Sequence, residues 1–188
     1  MNNITFKQYQ KIDICIFSAL LVLSEAVTTL ATVNWFDKQP VAISTTLLFI
    51  SIVMMRWGAF AIIPAALGGA VYCFVSGAST EQYIIYVLGN CLVMLSLIWF
   101  RFFKKEDVRR GGFKLFFFVL GNYVLMQLGR WLVSIPFGGF KMILTFLTTD
   151  IISLLFAAVI MFILRGMDGM IEDQKAYLFR LQREKDDN

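Results

Sequence analysis

The chain contains no histidine, only three cysteines and few charged residues among its 188 positions. Without histidine it lacks the side chain most often used for proton transfer near neutral pH and for holding metals. Cys15, Cys73 and Cys91 lie in apolar stretches without the close pairing of a metal or redox motif, so they are expected to be small buried side chains. No metal site, disulfide scaffold or cofactor is expected.

Catalytic signatures are missing as well. The sequence has no HExxH, no GxSxG and no phosphate-binding P-loop. Glu25 and Asp150 are carboxylates, but nothing in the sequence places them beside a nucleophile. The chain is therefore expected not to be an enzyme, and any active transport would have to draw its energy from a partner protein.

Apolar residues are what the chain has in excess. They make up 59% of it and charged residues 16%, against about half and about a quarter in a soluble domain. The excess is arranged in long blocks, which predicts an all-α membrane protein with six transmembrane helices, residues 1–165, and a cytoplasmic amphipathic tail helix in residues 166–188. The predicted spans are about 12–33, 41–55, 59–75, 83–103, 113–137 and 142–164.

Lysine and arginine set the predicted orientation, because they are retained on the cytoplasmic side of span ends. The N-terminal tail has two of these basic residues, the turn at Arg56 has one, the linker 101–114 has six and the C-terminal tail has five. Together they are 14 of the 17 lysines and arginines in the chain. Both termini are thus predicted to be cytoplasmic, in the plasma membrane. The net charge of +4 is explained by the basic residues on the predicted cytoplasmic side, and it does not indicate a nucleic-acid partner. The linker could also attract anionic lipid headgroups or an acidic partner.

The fifth span carries unusual polar residues. Tyr123, Gln127 and Arg130 follow one another at spacings of four and three, so they share one helical face. An arginine inside a span costs about 2.5–3.5 kcal/mol or more unless it faces a partner or a wet cavity. Two interpretations are open: a wall of a binding site, or an arginine near the outer end that reaches the interface beside Trp131.

Other spans place polar residues at the same depth, in the outer half of the membrane. This layer favours a pocket that opens outward, although helix–helix hydrogen bonds with an ion pair between Arg130 and either Asp150 or Glu25 would also satisfy these groups. The predicted substrate-binding residues are Glu25, Thr28, Trp35, Tyr86, Asn90, Tyr123, Gln127, Arg130, Thr149 and Asp150.

The pattern resembles a known family. Six spans in under 200 residues, a short second span, a turn into RWGAFAIIPAALGGAVYCFVSG and a fourth span with YVLGN are similar to the substrate-binding S-component of an energy-coupling factor (ECF) vitamin transporter. The resemblance implies capture of a small vitamin-like micronutrient, with a transmembrane coupling subunit and two cytoplasmic ATPases as partners. It also implies that the loop 34–40, which contains Trp35, acts as a lid.

One feature of that family is absent, and one alternative function stays open. The family commonly has two alanines four apart in its first span for docking, whereas Ala19 is followed four later by Leu23; Ala66, Gly69 and Ala70 of the third span are the alternative docking surface. The alternative function is a six-span scaffold of a cell-envelope complex, similar to the rod-shape protein MreD, without a ligand pocket.

Overall fold

The structure is a computed structural model that describes residues 5–35 and 42–186. All regular structure in these two ranges is helical, which confirms the all-α part of the predicted fold class. Short 3₁₀ segments connect or extend several of the α-helices. The α-helices are α1 (Phe6–Trp35), α2 (Thr46–Trp57), α3 (Ile62–Ser76), α4 (Thr80–Cys91), α5 (Trp99–Phe102), α6 (Lys105–Arg110), α7 (Gly112–Ser134), α8 (Ile143–Thr149), α9 (Ile151–Leu164) and α10 (Gln174–Asp186).

Within the described ranges, four helical stretches are long and apolar enough to cross a membrane, or five if α8 and α9 count as one bent span. One of the four, Thr46–Ser76, is not a straight rod. Gly58 has a positive φ of 61°, and Gly68 lies directly against the side chain of Thr46. The chain therefore folds back between α2 and α3, at the turn predicted for 56–58. The count of six spans and the cytoplasmic termini stay predictions.

The predicted lid, 34–40, lies mostly outside the described residues, and the chain that follows it runs without helical structure before α2. The predicted second span began near 41, whereas α2 begins at Thr46. The backbone N–H of Ala42 donates to the carbonyl of Thr149 at 2.9 Å, and that of Ser44 donates to Ser153 Oγ at 2.8 Å. These bonds to α8 and α9 take the place of the first helical turn.

The same bonds explain a second difference from the sequence analysis. The sixth span was predicted as one helix over 142–164, but α8 and α9 meet at an angle of 41°. The Thr149 carbonyl accepts from Ala42, so it is diverted toward the incoming segment. Asp150, at φ −99° and ψ 15°, lies outside helical geometry. The break therefore places a carboxylate where the chain leaves one helix and enters the next.

Glycines allow α4 and α7 to approach closely. A Cβ built on Gly129 would overlap the carbonyl of Gly89, and one built on Gly89 would lie 2.6 Å from the Cα of Arg130. Such close approach of helix backbones is typical of packing between small residues in lipid. It fixes the depth of α7, and hence of Arg130, relative to α4.

We expect Gly129→Ala to lower stability by about 1–3 kcal/mol, because the added methyl group meets backbone that cannot move aside. Gly121→Ala in the same helix is the matched control. A Cβ at Gly121 has nothing within 4 Å, so alanine there should be neutral or stabilise by up to about 1 kcal/mol. The thermal-unfolding midpoints of both variants in detergent test this. Equal midpoints would show that the two helices are not in contact at Gly129.

Gly69 makes a similar contact between α3 and α4. A Cβ there would lie 2.8 Å from the backbone carbonyl of Tyr86. The small-residue stretch that sequence analysis offered as an alternative docking surface is therefore partly used inside the protein. Ala66 and Ala70 are half-buried, so they leave only a narrow strip for a partner.

The start of α1 and the C-terminal segment meet at one end of the bundle. The carboxylate of Asp13 accepts from Arg56 Nε at 2.8 Å and from Trp57 Nε1, while Arg56 also donates to the carbonyls of Gly169 and Met170. The predicted tail helix is present as α10, and the turn before it docks on the bundle with Ile171 fully buried. The tail is thus more than a solvated extension of α9.

Candidate functional site

Arg130, on α7, is the centre of a buried polar cluster. Its guanidinium forms an ion pair with the Asp150 carboxylate at the α8–α9 break, and the two residues are 3% and 4% exposed. The sequence left two partners open for Arg130, Asp150 and Glu25. The structure contains the ion pair with Asp150. The Arg130 side chain lies inside the bundle and does not extend to the protein surface beside Trp131.

Two amide side chains complete the cluster. Asn90 Oδ1 accepts from Arg130 Nε at 2.8 Å, and Gln127 Oε1 accepts from Arg130 Nη1 at 3.2 Å. Gln127 Nε2 donates to Asp150 at 3.0 Å, while Asn90 Nδ2 donates to the carbonyl of Ala65 at 3.1 Å. Helices α3, α4, α7 and the α8–α9 break are all joined in this way. We call Asn90, Gln127, Arg130 and Asp150 the arginine cluster.

Aromatic rings cover one side of the arginine cluster. The Arg130 guanidinium carbon lies 4.4 Å from the centre of the Tyr86 ring, a distance suited to a cation–π contact. Tyr72 stacks on Tyr86 with 4.8 Å between ring centres, and Phe146 meets Tyr86 edge-on. Sequence analysis missed Tyr72 and Phe146. The position of Tyr72 follows from the close α3–α4 approach at Gly69, and Phe146 reaches Tyr86 from α8.

Glu25 lies in a different set of contacts. Its buried carboxylate accepts from the backbone N–H groups of Thr45 and Thr46 at 2.7 and 3.1 Å, and from the hydroxyls of Ser44 and Thr45 at 2.8 and 2.9 Å. It therefore caps the N-terminus of α2 from the neighbouring helix, where the helix dipole favours a negative charge. These four bonds give Glu25 a complete structural role without a ligand.

The remaining predicted site residues lie around the arginine cluster or away from it. Tyr123 donates its hydroxyl to the carbonyl of Leu147, and Thr149 donates its own to the carbonyl of Thr145. Thr28 bonds to the backbone of α1, and Trp35 is 78% exposed at the end of that helix. The structure thus brings Tyr86, Asn90, Gln127, Arg130 and Asp150 into direct contact. Thr28 and Trp35 make no such contact in the part of the chain that the structure describes.

The chemistry of the arginine cluster is that of recognition. It offers a guanidinium with five donors, a carboxylate, two amides and an aromatic face, which suit a charged or zwitterionic organic molecule. The described residues include no group of three or more His, Cys, Asp or Glu that could hold a metal ion. Every charged group of the cluster already has a partner within the protein, so a guest would have to exchange with these internal bonds.

Comparison of the chain with protein-family models, with curated proteins and with solved structures found no match. The class of the protein is therefore stated from its fold. It is an all-helical protein with several helices long and apolar enough to be embedded in a membrane. Its interior holds a charged cluster at a helix break.

Proposed function

We propose that this chain is the substrate-binding membrane subunit of an importer, with the role that S-components have in ECF transporters. It captures a small charged or zwitterionic micronutrient at the arginine cluster, in the outer half of a six-span bundle with cytoplasmic termini. A coupling subunit and two ATPases would supply the energy for uptake. The observation that carries the proposal is the buried Arg130–Asp150 pair at the break between α8 and α9.

Two physical arguments support a binding role for this pair. A buried ion pair is often no more stabilising than apolar residues of the same volume, so bundle stability alone gives little reason for its presence. In addition, an ionisable residue at a broken helix inside a membrane protein is the usual setting of a substrate or ion site. Asp150 combines both features, because its backbone is non-helical and its side chain is paired across the bundle.

The segment 42–45 supports an entrance at the same place. It follows directly on the predicted lid, and Ala42 and Ser44 bond to Thr149 and Ser153, on either side of Asp150. Three hydrogen bonds join the segment to α8 and α9, the third from Ser153 Oγ to the Ala42 carbonyl at 3.4 Å, and Glu25 also holds Ser44 and Thr45. A ligand that enters here would have to break the bonds to α8 and α9. Such a release would free the backbone next to Asp150, the partner of Arg130.

A ligand screen tests the proposal. Purified protein should show a raised thermal-unfolding midpoint with at least one compound from a set of vitamins and vitamin precursors, because a ligand that binds only the folded state stabilises it. A ligand at 100 times its Kd should add about 2.7 kcal/mol of stability. A flat response across charged, zwitterionic and neutral compounds would contradict a capture function.

One observation favours the scaffold as a second candidate. All polar side chains of the arginine cluster are satisfied by one another, which is what a brace between helices requires. Co-purification from native membranes separates the two functions. A coupling subunit with ATPases supports capture, whereas envelope-synthesis proteins without ATPases support the scaffold.

A further inference from the structure

A cavity lies at the opposite end of the bundle, far from the arginine cluster. It has a volume of about 600 Å³ and lies between the linker that follows α5 and the docked C-terminal segment. Phe100 and Tyr177 contribute aromatic walls, and Lys104, Lys105 and Arg110 lie along its linker side. We call this cavity the linker crevice. Its volume is within the range of small-molecule sites.

The acidic side chains in the linker crevice are already paired. Glu106 accepts from Arg110 at 2.6 Å, and Asp173 accepts from Lys105 at 2.7 Å. Glu172 pairs with both Arg109 and Arg180, so one carboxylate faces two guanidinium groups. Within the described part of the chain these carboxylates have no charge left over to repel an anion.

The cations, by contrast, are in excess. Lys104 is exposed and forms no ion pair with any described residue, although its side chain lines the linker crevice. The linker 101–114 as a whole carries six basic and two acidic residues. Arg110, which also lines the linker crevice, donates to Glu106 through Nε. An ammonium with no described partner, with a second exposed cation in the same crevice, is an arrangement that attracts phosphate.

Exposed aromatic residues on both sides of the linker place it at a membrane boundary. Phe102, at the end of α5, is 76% exposed, and Phe113, at the start of α7, is 82% exposed. Large apolar rings with this exposure next to a run of cations are typical of the level of the lipid headgroups. A phosphate-bearing headgroup would therefore lie at the same depth as the crevice.

We propose that the linker crevice binds a phosphate-bearing anion, held by Lys104 and Arg110 between the linker and the C-terminal segment. The phosphate can belong to the headgroup of an anionic lipid or to a soluble phosphate ester. Because the crevice contacts the α5–α7 linker on one side and the turn before α10 on the other, an occupant joins the two segments. This site is independent of the proposed import function.

Binding to the purified full chain in detergent tests this site. The probes are dioctanoyl phosphatidylglycerol, dioctanoyl phosphatidylcholine and glycerol 3-phosphate. We expect phosphatidylglycerol to bind. Lys104→Gln should weaken that binding about five-fold, and the double variant Lys104→Gln/Arg110→Gln should weaken it about 25-fold. Lys141→Gln, an exposed lysine in the turn before α8, is the matched control and should bind as the unaltered chain does.

The outcomes separate the possible sources of the phosphate. Binding of phosphatidylglycerol alone supports a lipid headgroup, and binding of glycerol 3-phosphate as well supports a soluble ester; both uphold the site. The proposal is overturned if phosphatidylcholine binds as tightly as phosphatidylglycerol, or if Lys104→Gln has no effect. Lys104 forms no ion pair in the described structure, so its single variant is expected to fold even if the double variant does not.

Discussion

The double variant Arg130→Met/Asp150→Leu is expected to be more stable than the single variant Arg130→Ala and to bind no substrate. Arg130 and Asp150 are buried and matched to each other, so their simultaneous replacement by apolar side chains of similar volume removes two desolvated charges at once. Such replacements are often neutral or stabilising by about 1–4 kcal/mol. Here the buried amides of Asn90 and Gln127 also lose their partners, which costs about 1–3 kcal/mol for each unsatisfied group. A ligand that depends on these charges would lose its binding partners in the same change.

The single variant Arg130→Ala gives the contrasting result. It leaves the Asp150 carboxylate buried without its partner, which is expected to cost about 3–5 kcal/mol. Arg110→Ala is the matched control, because Arg110 pairs with Glu106 at an exposed site. Pairs of that kind contribute about 1 kcal/mol or less. The thermal-unfolding midpoints and ligand affinities of all three variants should be measured together.

These results distinguish two roles of the arginine cluster, a brace between helices and a part of the capture site. If the double variant is stable and still captures the ligand of the unaltered chain, the arginine cluster is a brace and the capture site lies elsewhere. If it is stable and binds nothing, the charges belong to the site. The difference is large because at least a tenfold loss of affinity, about 1.4 kcal/mol, is expected when a charged contact is removed.

Loss of the carboxylate at position 25 is expected to have the second-largest effect. Glu25→Ala removes the acceptor of the Thr45 and Thr46 backbone N–H groups, where α2 begins inside the bundle. A buried donor without a partner costs about 1–3 kcal/mol, so the variant should lose about 3 kcal/mol of stability. Since α2 is fully buried along its length, the loss should appear as global unfolding.

Two further glutamate variants test the cap specifically. Glu25→Gln keeps one carbonyl acceptor but loses the charge, so it should lower stability by about half as much as Glu25→Ala does. Glu81 lies exposed in the first turn of α4, and Glu81→Ala should change stability by less than about 0.5 kcal/mol. Unchanged thermal unfolding of Glu25→Ala in detergent would show that its contacts with α2 are not formed in the protein.

The sequence contained enough information to predict the charged pair but not to choose its members. Within the predicted spans, Arg130 has only Glu25 and Asp150 as acidic candidates at a similar predicted depth, and a buried cation requires one of them. The choice depends on which helices are neighbours. Position 25 faces the start of α2, whose free N–H groups already need an acceptor, so Asp150 is left for Arg130.

The helix break and the aromatic cover could not be predicted from the sequence. Hydropathy treats 142–164 as one continuous span, since the diversion of the Thr149 carbonyl depends on Ala42, a residue more than a hundred positions away. Tyr72 was missed because it lies in a stretch with a Gly/Ala pattern that indicates packing in general. Its contact with Tyr86 exists because Gly69 lets α3 lie against the backbone of α4.

The most direct test of the account is a structure of the protein with a stabilising compound bound. We expect the compound to lie between Arg130 and Asp150. The distance from Arg130 Nη1 to Asp150 Oδ2 should then exceed the limit of an ion pair, about 4 Å. The Ala42–Thr149 bond should be broken or moved in the same structure. A bound compound with this ion pair intact, and with the compound located elsewhere, would contradict the assignment of the arginine cluster as the capture site.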